Sequence, residues 1–127
     1  MHSAKTYLLY PMALLYLSAG IAHFAIPEFF VSIVPPALPA PELINVISGL
    51  AELMLALGLL LPRTRRWAAW GVVALLIAVF PANIYMALEP AKFEMPPAAL
   101  WGRLPLQFVL IAWAWWYTRP DGASSAN

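Results

Sequence analysis

The chain has 127 residues, enough for one compact domain and not comfortably two. Hydrophobic residues make up 63% and charged residues 10%, against about 25% charged in an ordinary soluble domain. A globule this small cannot hide so much apolar surface from water, so the lipid bilayer is the expected solvent. The net charge of +1 offers no basic patch for nucleic acid, and the lack of cysteine excludes disulfides, thiol redox chemistry, iron–sulfur clusters and cysteine zinc sites. His2 and His23 are the only histidines, so a haem with two histidine ligands would have to draw one from the charged N-terminal tail.

A spanning helix needs about 20 mostly apolar residues. Between Lys5 and Glu28 there is no formal charge, which predicts a first span over 7–25. Its basic start, apolar run and Ser18-Ala19-Gly20 also fit a cleaved signal peptide, but the run is long, and cleavage would discard His23 or strand it at a terminus. The Pro27–Glu42 connection holds Pro27, Pro35, Pro36, Pro39 and Pro41, which exclude a regular helix there; its Phe29–Val34 stretch is too short to span and is expected at the interface. The second span, 43–61, is interrupted only by Glu52. A tight turn over Pro62–Arg66 leads to a third span, 67–88, with a small-residue stripe at Ala74, Ala78 and Ala82 that would let it pack closely. After a loop with Pro90, Pro96 and Pro97 comes a fourth span, 100–118, and then a polar tail over 119–127.

The expected fold is therefore all-α, an integral membrane four-helix bundle. Lys5, Arg63, Arg65, Arg66 and Arg119 fall on one side of it; Glu28, Glu42, Glu89 and Glu94, with Lys92, fall on the other. The positive-inside rule then puts both termini in the cytoplasm. Tyr7, Tyr10, Trp67, Trp70, Trp115, Trp116 and Tyr117 would ring the cytoplasmic edge, with Phe24, Phe29 and Trp101 at the outer edge.

Against this apolar background a few polar residues stand out. Glu52 lies about 13 Å below the outer end of its span at roughly 1.5 Å per residue, where an ionised carboxylate is costly unless paired and marks a functional site by default. Asn45 and Ser48 share its helix face at i−7 and i−4. Arg103 and Gln107 share a face of the fourth span at i, i+4, with Pro105 tolerated between them near the helix start. Asn83 is near the outer end of the third span, and Pro81 just before it denies a hydrogen bond to the Ile77 carbonyl and predicts a kink. His23 is near the outer end of the first. So His23, Glu52, Asn83, Arg103 and Gln107, supported by Asn45, Ser48 and Pro81, are the candidate ligand-binding residues of a pocket in the outer half of the membrane. Each has a plainer reading: Asn83 and Gln107 as interhelical hydrogen-bond glue, Arg103 as a snorkelling interface residue, Glu52 and Arg103 as a buried ion pair. There is no phosphate loop, catalytic triad pattern or metal-binding spacing, so neither a metal nor a catalytic residue is assigned.

Gly20-Ile21-Ala22-His23-Phe24, Ser48-Gly49-Leu50-Ala51-Glu52, Phe80-Pro81-Ala82-Asn83-Ile84 and Arg103-Leu104-Pro105-Leu106-Gln107, one per span and in that order, resemble the short bacterial branch of the DoxX family. The resemblance covers nearly the whole chain, including the Pro-rich outer loop and the turn Leu61-Pro62-Arg63-Thr64-Arg65. It implies a four-helix protein of the bacterial inner membrane. The family takes its name from a subunit associated with thiosulfate:quinone oxidoreductase, and distant relatives look like membrane chaperones or cargo receptors.

Three functions follow, in order. The first is a binding module whose pocket holds a small amphipathic ligand: a quinone, a lipid head group or an organic anion. The second is a structural or accessory protein that stabilises a membrane partner or a homo-oligomer. The third is a non-redox subunit of a quinone-linked oxidoreductase, an analogy drawn from the family alone. No group in the chain can hold an electron, so there is no intrinsic cofactor, and a redox role would need a bound quinone or a partner subunit.

Overall fold

The structure, a computed structural model, describes residues 3–119. Most of the expected polar tail, residues 120–127, thus lies outside the described residues. Among the described residues there is no strand. The helices are α1 (Ala4–Ala25), α2 (Pro27–Ser32), α3 (Pro41–Leu60), α4 (Arg65–Ala78), α5 (Phe80–Leu88), α6 (Pro90–Phe93) and α7 (Pro97–Thr118).

Proline placement explains most of the boundaries. Pro27, Pro41, Pro90 and Pro97 each open a helix, where the missing N–H costs nothing and the fixed φ suits the first turn. The outer connection is therefore not free of helix, as its five prolines suggested: Pro27 starts α2, and the next proline, Pro35, comes only after that helix has ended. Ser3 caps α1 by accepting from the Thr6 amide at 3.4 Å. The expected kink is an interruption at Val79, two residues before Pro81, which separates α4 from α5 although its N–H still donates to the Leu75 carbonyl at 3.0 Å. Pro105, expected near a helix start, lies inside α7 because that helix begins at Pro97. At the turn after α3, Thr64 Oγ1 donates to the Gly58 carbonyl at 2.8 Å, and Arg65 Nε donates to that of Leu59 at 2.7 Å. These bonds satisfy carbonyls in the last turn of α3 that have no partner within the helix.

Short turns alternate the direction of the long helices. α1 packs on α3, α3 on α4, and α4 and α5 on α7. The start of α1, the α3–α4 turn and the end of α7 meet at one end, where Lys5 Nζ donates to the Arg119 carbonyl at 3.3 Å and Tyr117 Oη donates to that of Lys5 at 2.6 Å. Tyr117 is buried there, so it is not part of an exposed aromatic ring, whereas Tyr7, Tyr10, Trp67, Trp70, Trp115 and Trp116 are exposed. This half has a continuous core of Leu9, Met12, Tyr16, Ala56, Leu59, Ala69, Val72 and Ala114. The small-residue stripe is not what packs α4: Ala74 and Ala78 are exposed, and the helix buries Ala68, Ala69, Val72, Val73 and Leu76 instead. Close approach to α3 is made instead at Ala68, whose Cβ would lie 2.9 Å from a Cβ added at Gly58.

Three helical stretches are long and apolar enough to cross a membrane: Ala4–Ala25, Pro41–Leu60 and the α4–α5 stretch Arg65–Leu88. Only 33%, 28% and 33% of their most apolar windows are buried, so most of that hydrophobicity faces outward. α7, which contains the fourth expected span, is 22 residues long but falls outside this set. Arg103, Gln107 and its four tryptophans lower its hydropathy.

Candidate functional site

The first part of the site is built by the close approach of α1 and α3. A Cβ on Gly20 would lie 2.8 Å from the Leu53 side chain and 3.1 Å from the Gly49 carbonyl oxygen; one on Gly49 would lie 2.8 Å from His23 Cβ and from the Phe24 ring. The His23 Cβ cannot move without its backbone, so Gly49 must be glycine for the helices to come this near, whereas a side chain at Gly20 would first have to push Leu53 aside. That contact sets His23 against Asn45 and Glu52. Asn45 Nδ2 donates at 3.0 Å to the backbone carbonyl of His23, in the last turn of α1, and Asn45 Oδ1 meets His23 Nδ1 at 2.6 Å. On the other edge of the ring, Nε2 lies 3.5 Å from Glu52 Oε2. Phe30 of α2 stacks on the imidazole, with centroids 3.9 Å apart.

These bonds fix one proton. A backbone carbonyl can only accept, so the Asn45 amide is oriented, its Oδ1 faces Nδ1, and Nδ1 must carry a proton. A neutral imidazole of that tautomer would turn a lone pair toward Oε2. Imidazolium facing carboxylate removes that opposition and makes the 3.5 Å contact an ion pair, neutral as a unit.

The second part stands on α5 and α7. The interruption at Val79 puts Asn83 in the first turn of α5, where its Nδ2 donates to Gln107 Oε1. Gln107 Nε2 donates in turn to the Leu76 carbonyl in the last turn of α4. Arg103 Nε donates to Asn83 Oδ1 at 3.2 Å. Three helices are thus tied through two amides, and the guanidinium is held at their edge, half-buried.

Between the two parts lies a cavity of about 440 Å³. His23, Asn45, Ser48, Glu52, Pro81, Asn83, Arg103 and Gln107, every residue singled out in the sequence, line it. The Glu52–Arg103 ion pair that the sequence allowed is not formed: Glu52 faces His23, and Arg103 holds Asn83. The cavity also has walls that sequence reasoning missed. Tyr16 lines it, and its buried hydroxyl has no hydrogen-bond partner; Glu52 Oε2 is likewise without one. The signal for Tyr16 was its spacing of i−7 from His23 on one face of α1. Phe30, Ile33 and Leu38 close another side, from a stretch read only as an interfacial loop. Chemically, the arrangement offers an acid–base pair on one wall, a cation on the other, and aliphatic surface in the same lining.

Neither a curated protein nor a solved structure matches the chain. Residues 12–118 match the family described as "Domain of unknown function (DUF8561)", a match that takes in the whole cavity lining. The chain, with its two polar walls and the hollow between them, belongs to the DUF8561 family.

Proposed function

We propose that this is a DoxX-like four-helix protein of the bacterial inner membrane, with both termini cytoplasmic, whose cavity binds a small amphipathic ligand. α7 is the fourth span, carrying Arg103 and Gln107 into the bundle. The observation that supports the reading best is convergence. Polar side chains from α1, α3, α5 and α7 meet at one hollow of about 440 Å³, within the size range of small-molecule sites. Polar groups that served only to bind helices together would close on each other and leave no space. The apolar outward faces support the bilayer as solvent, and the basic residues at one end of the bundle support the orientation.

Native mass spectrometry of the protein released from membranes tests this. A stoichiometric adduct is expected in the wild type and lost in Glu52→Gln and in Arg103→Leu. Folded wild-type protein that is empty across several extraction conditions would refute the binding reading. The accessory reading has one observation in its favour, the Asn83–Gln107–Leu76 chain that joins α4, α5 and α7. It predicts a single membrane protein partner in the same spectra and no small-molecule adduct.

A further inference from the structure

We infer that the ligand is a monoanion: an oxyanion head group held by Arg103, carried on an apolar body. The inference rests on the binding reading above and names the chemistry of its ligand. Its ground is a charge count over the groups that face the cavity. α1 contributes Tyr16 and His23, α3 contributes Asn45, Ser48 and Glu52, α5 contributes Asn83, and α7 contributes Arg103 and Gln107. Tyrosine, serine and the amides are neutral. His23 and Glu52 face each other as an ion pair at 3.5 Å and are neutral as a unit, since Asn45 keeps a proton on Nδ1 and a neutral ring would set its Nε2 lone pair against the carboxylate. Arg103 cannot be deprotonated. The cavity as built therefore carries one uncompensated positive charge.

The environment of Arg103 leaves that charge open. Its Nε is engaged by Asn83 Oδ1 at 3.2 Å, which holds the guanidinium plane against the cavity wall. Its two terminal nitrogens have no hydrogen-bond partner, and no carboxylate lies within ion-pair distance of it, among the described residues. An unpaired cation in a low-dielectric site is costly, and a carboxylate or phosphodiester accepting both terminal N–H groups relieves that cost with fork geometry. A neutral ligand leaves the charge standing, and a dianion reverses it. The cavity lining also includes the aliphatic side chains of Leu15, Leu106 and Leu110, which suits an alkyl or aryl body rather than a second ionic group.

The test uses the full chain in nanodiscs of zwitterionic lipid, titrated with decanoate, decyl methyl phosphate and methyl decanoate. Binding is corrected for partitioning into protein-free nanodiscs. In the wild type, at least one of the two anions is expected to bind about tenfold or more tightly than the neutral ester. Arg103→Gln should abolish that preference, and Arg103→Lys should keep part of it, since the charge remains but the fork is lost. A phosphodiester preferred over the carboxylate assigns the natural ligand to lipid head groups; the reverse assigns it to free organic acids. Ester and anions bound equally well by the wild type would overturn the monoanion and leave the cavity reading standing. No saturable binding of any of the three would overturn both. The wild-type comparison alone decides the matter should Arg103→Gln fail to fold.

Discussion

The two ends of the bundle are made from the same helices and differ in how they are filled. At the end where the termini meet, Leu9, Met12, Leu59, Val72 and Ala114 close into a core with almost no exposure, and Tyr117 and Arg65 donate to backbone carbonyls, while the Trp113 Nε1 packed against that core has no partner. At the other end the apolar cluster shrinks to Met86, Ala87 and Leu100, and the centre is a hollow lined by polar side chains. A chain of this size could close both ends with leucine. That it does not suggests a division of labour: one half holds the helices together, and the other keeps a space that packing alone would eliminate.

The comparison breaks most directly at Leu59, whose side chain is fully buried in the filled half. Leu59→Ala is expected to cost about 2–5 kcal/mol, because the site is surrounded by ordered neighbours that collapse only partly into the void. A fall in melting temperature with stoichiometric binding kept below the transition would fit the division. Loss of the ligand at temperatures where the protein is still folded would show that the halves are not separable. Gly49→Val, on the border between them, is the next largest. Its new side chain would meet His23 Cβ and the Phe24 ring at contact distances that neither backbone can yield, so helix separation should cost about 1–3 kcal/mol. Unlike Leu59→Ala, this variant should also weaken ligand binding, since the His23–Glu52 dyad is set by the approach of α1 to α3. Thermal unfolding read in parallel with ligand titration distinguishes the two.

How far the sequence went divides along similar lines. The long helices were legible because apolar runs of that length are rare outside helices, and the polar candidates were legible because each stood alone in such a run. Asn45, Ser48 and Glu52 could be placed on one face from spacing alone, since helix geometry is local. What could not be read is everything that depends on two helices at once. Glu52 was offered Arg103 as its partner on grounds of charge, whereas Gly20 and Gly49 bring α1 close enough for His23 to take that place. The alanine stripe of α4 looked like a packing surface because small residues permit close approach. The helix instead buries Ala68, Ala69, Val72, Val73 and Leu76 and leaves Trp67, Trp70 and Ile77 outward, a choice of face that depends on its neighbours. The helix in the connection after α1 is hidden for a different reason: proline breaks a helix interior but suits a first helical position, where Pro27 stands.

Asn83 gives the smallest expected effect on stability and the sharpest discrimination. Its side chain bonds Gln107 and Arg103, so Asn83→Leu removes two side-chain hydrogen bonds while keeping the volume roughly filled. Between helices in a membrane such bonds average about 0.6 kcal/mol each, so the loss of stability should be near 1 kcal/mol. Were the amides only glue, that small loss would be the whole phenotype. In the proposed site Asn83 also aims the guanidinium by holding Nε, and freeing it lets Arg103 swing toward the outer surface, where its long stem can reach water. Ligand affinity should then fall about tenfold or more, well beyond what the change in stability accounts for, with the preference for an anion over its neutral ester shrinking in parallel. Equal and small changes in both measurements would return Asn83 to the role of a strut.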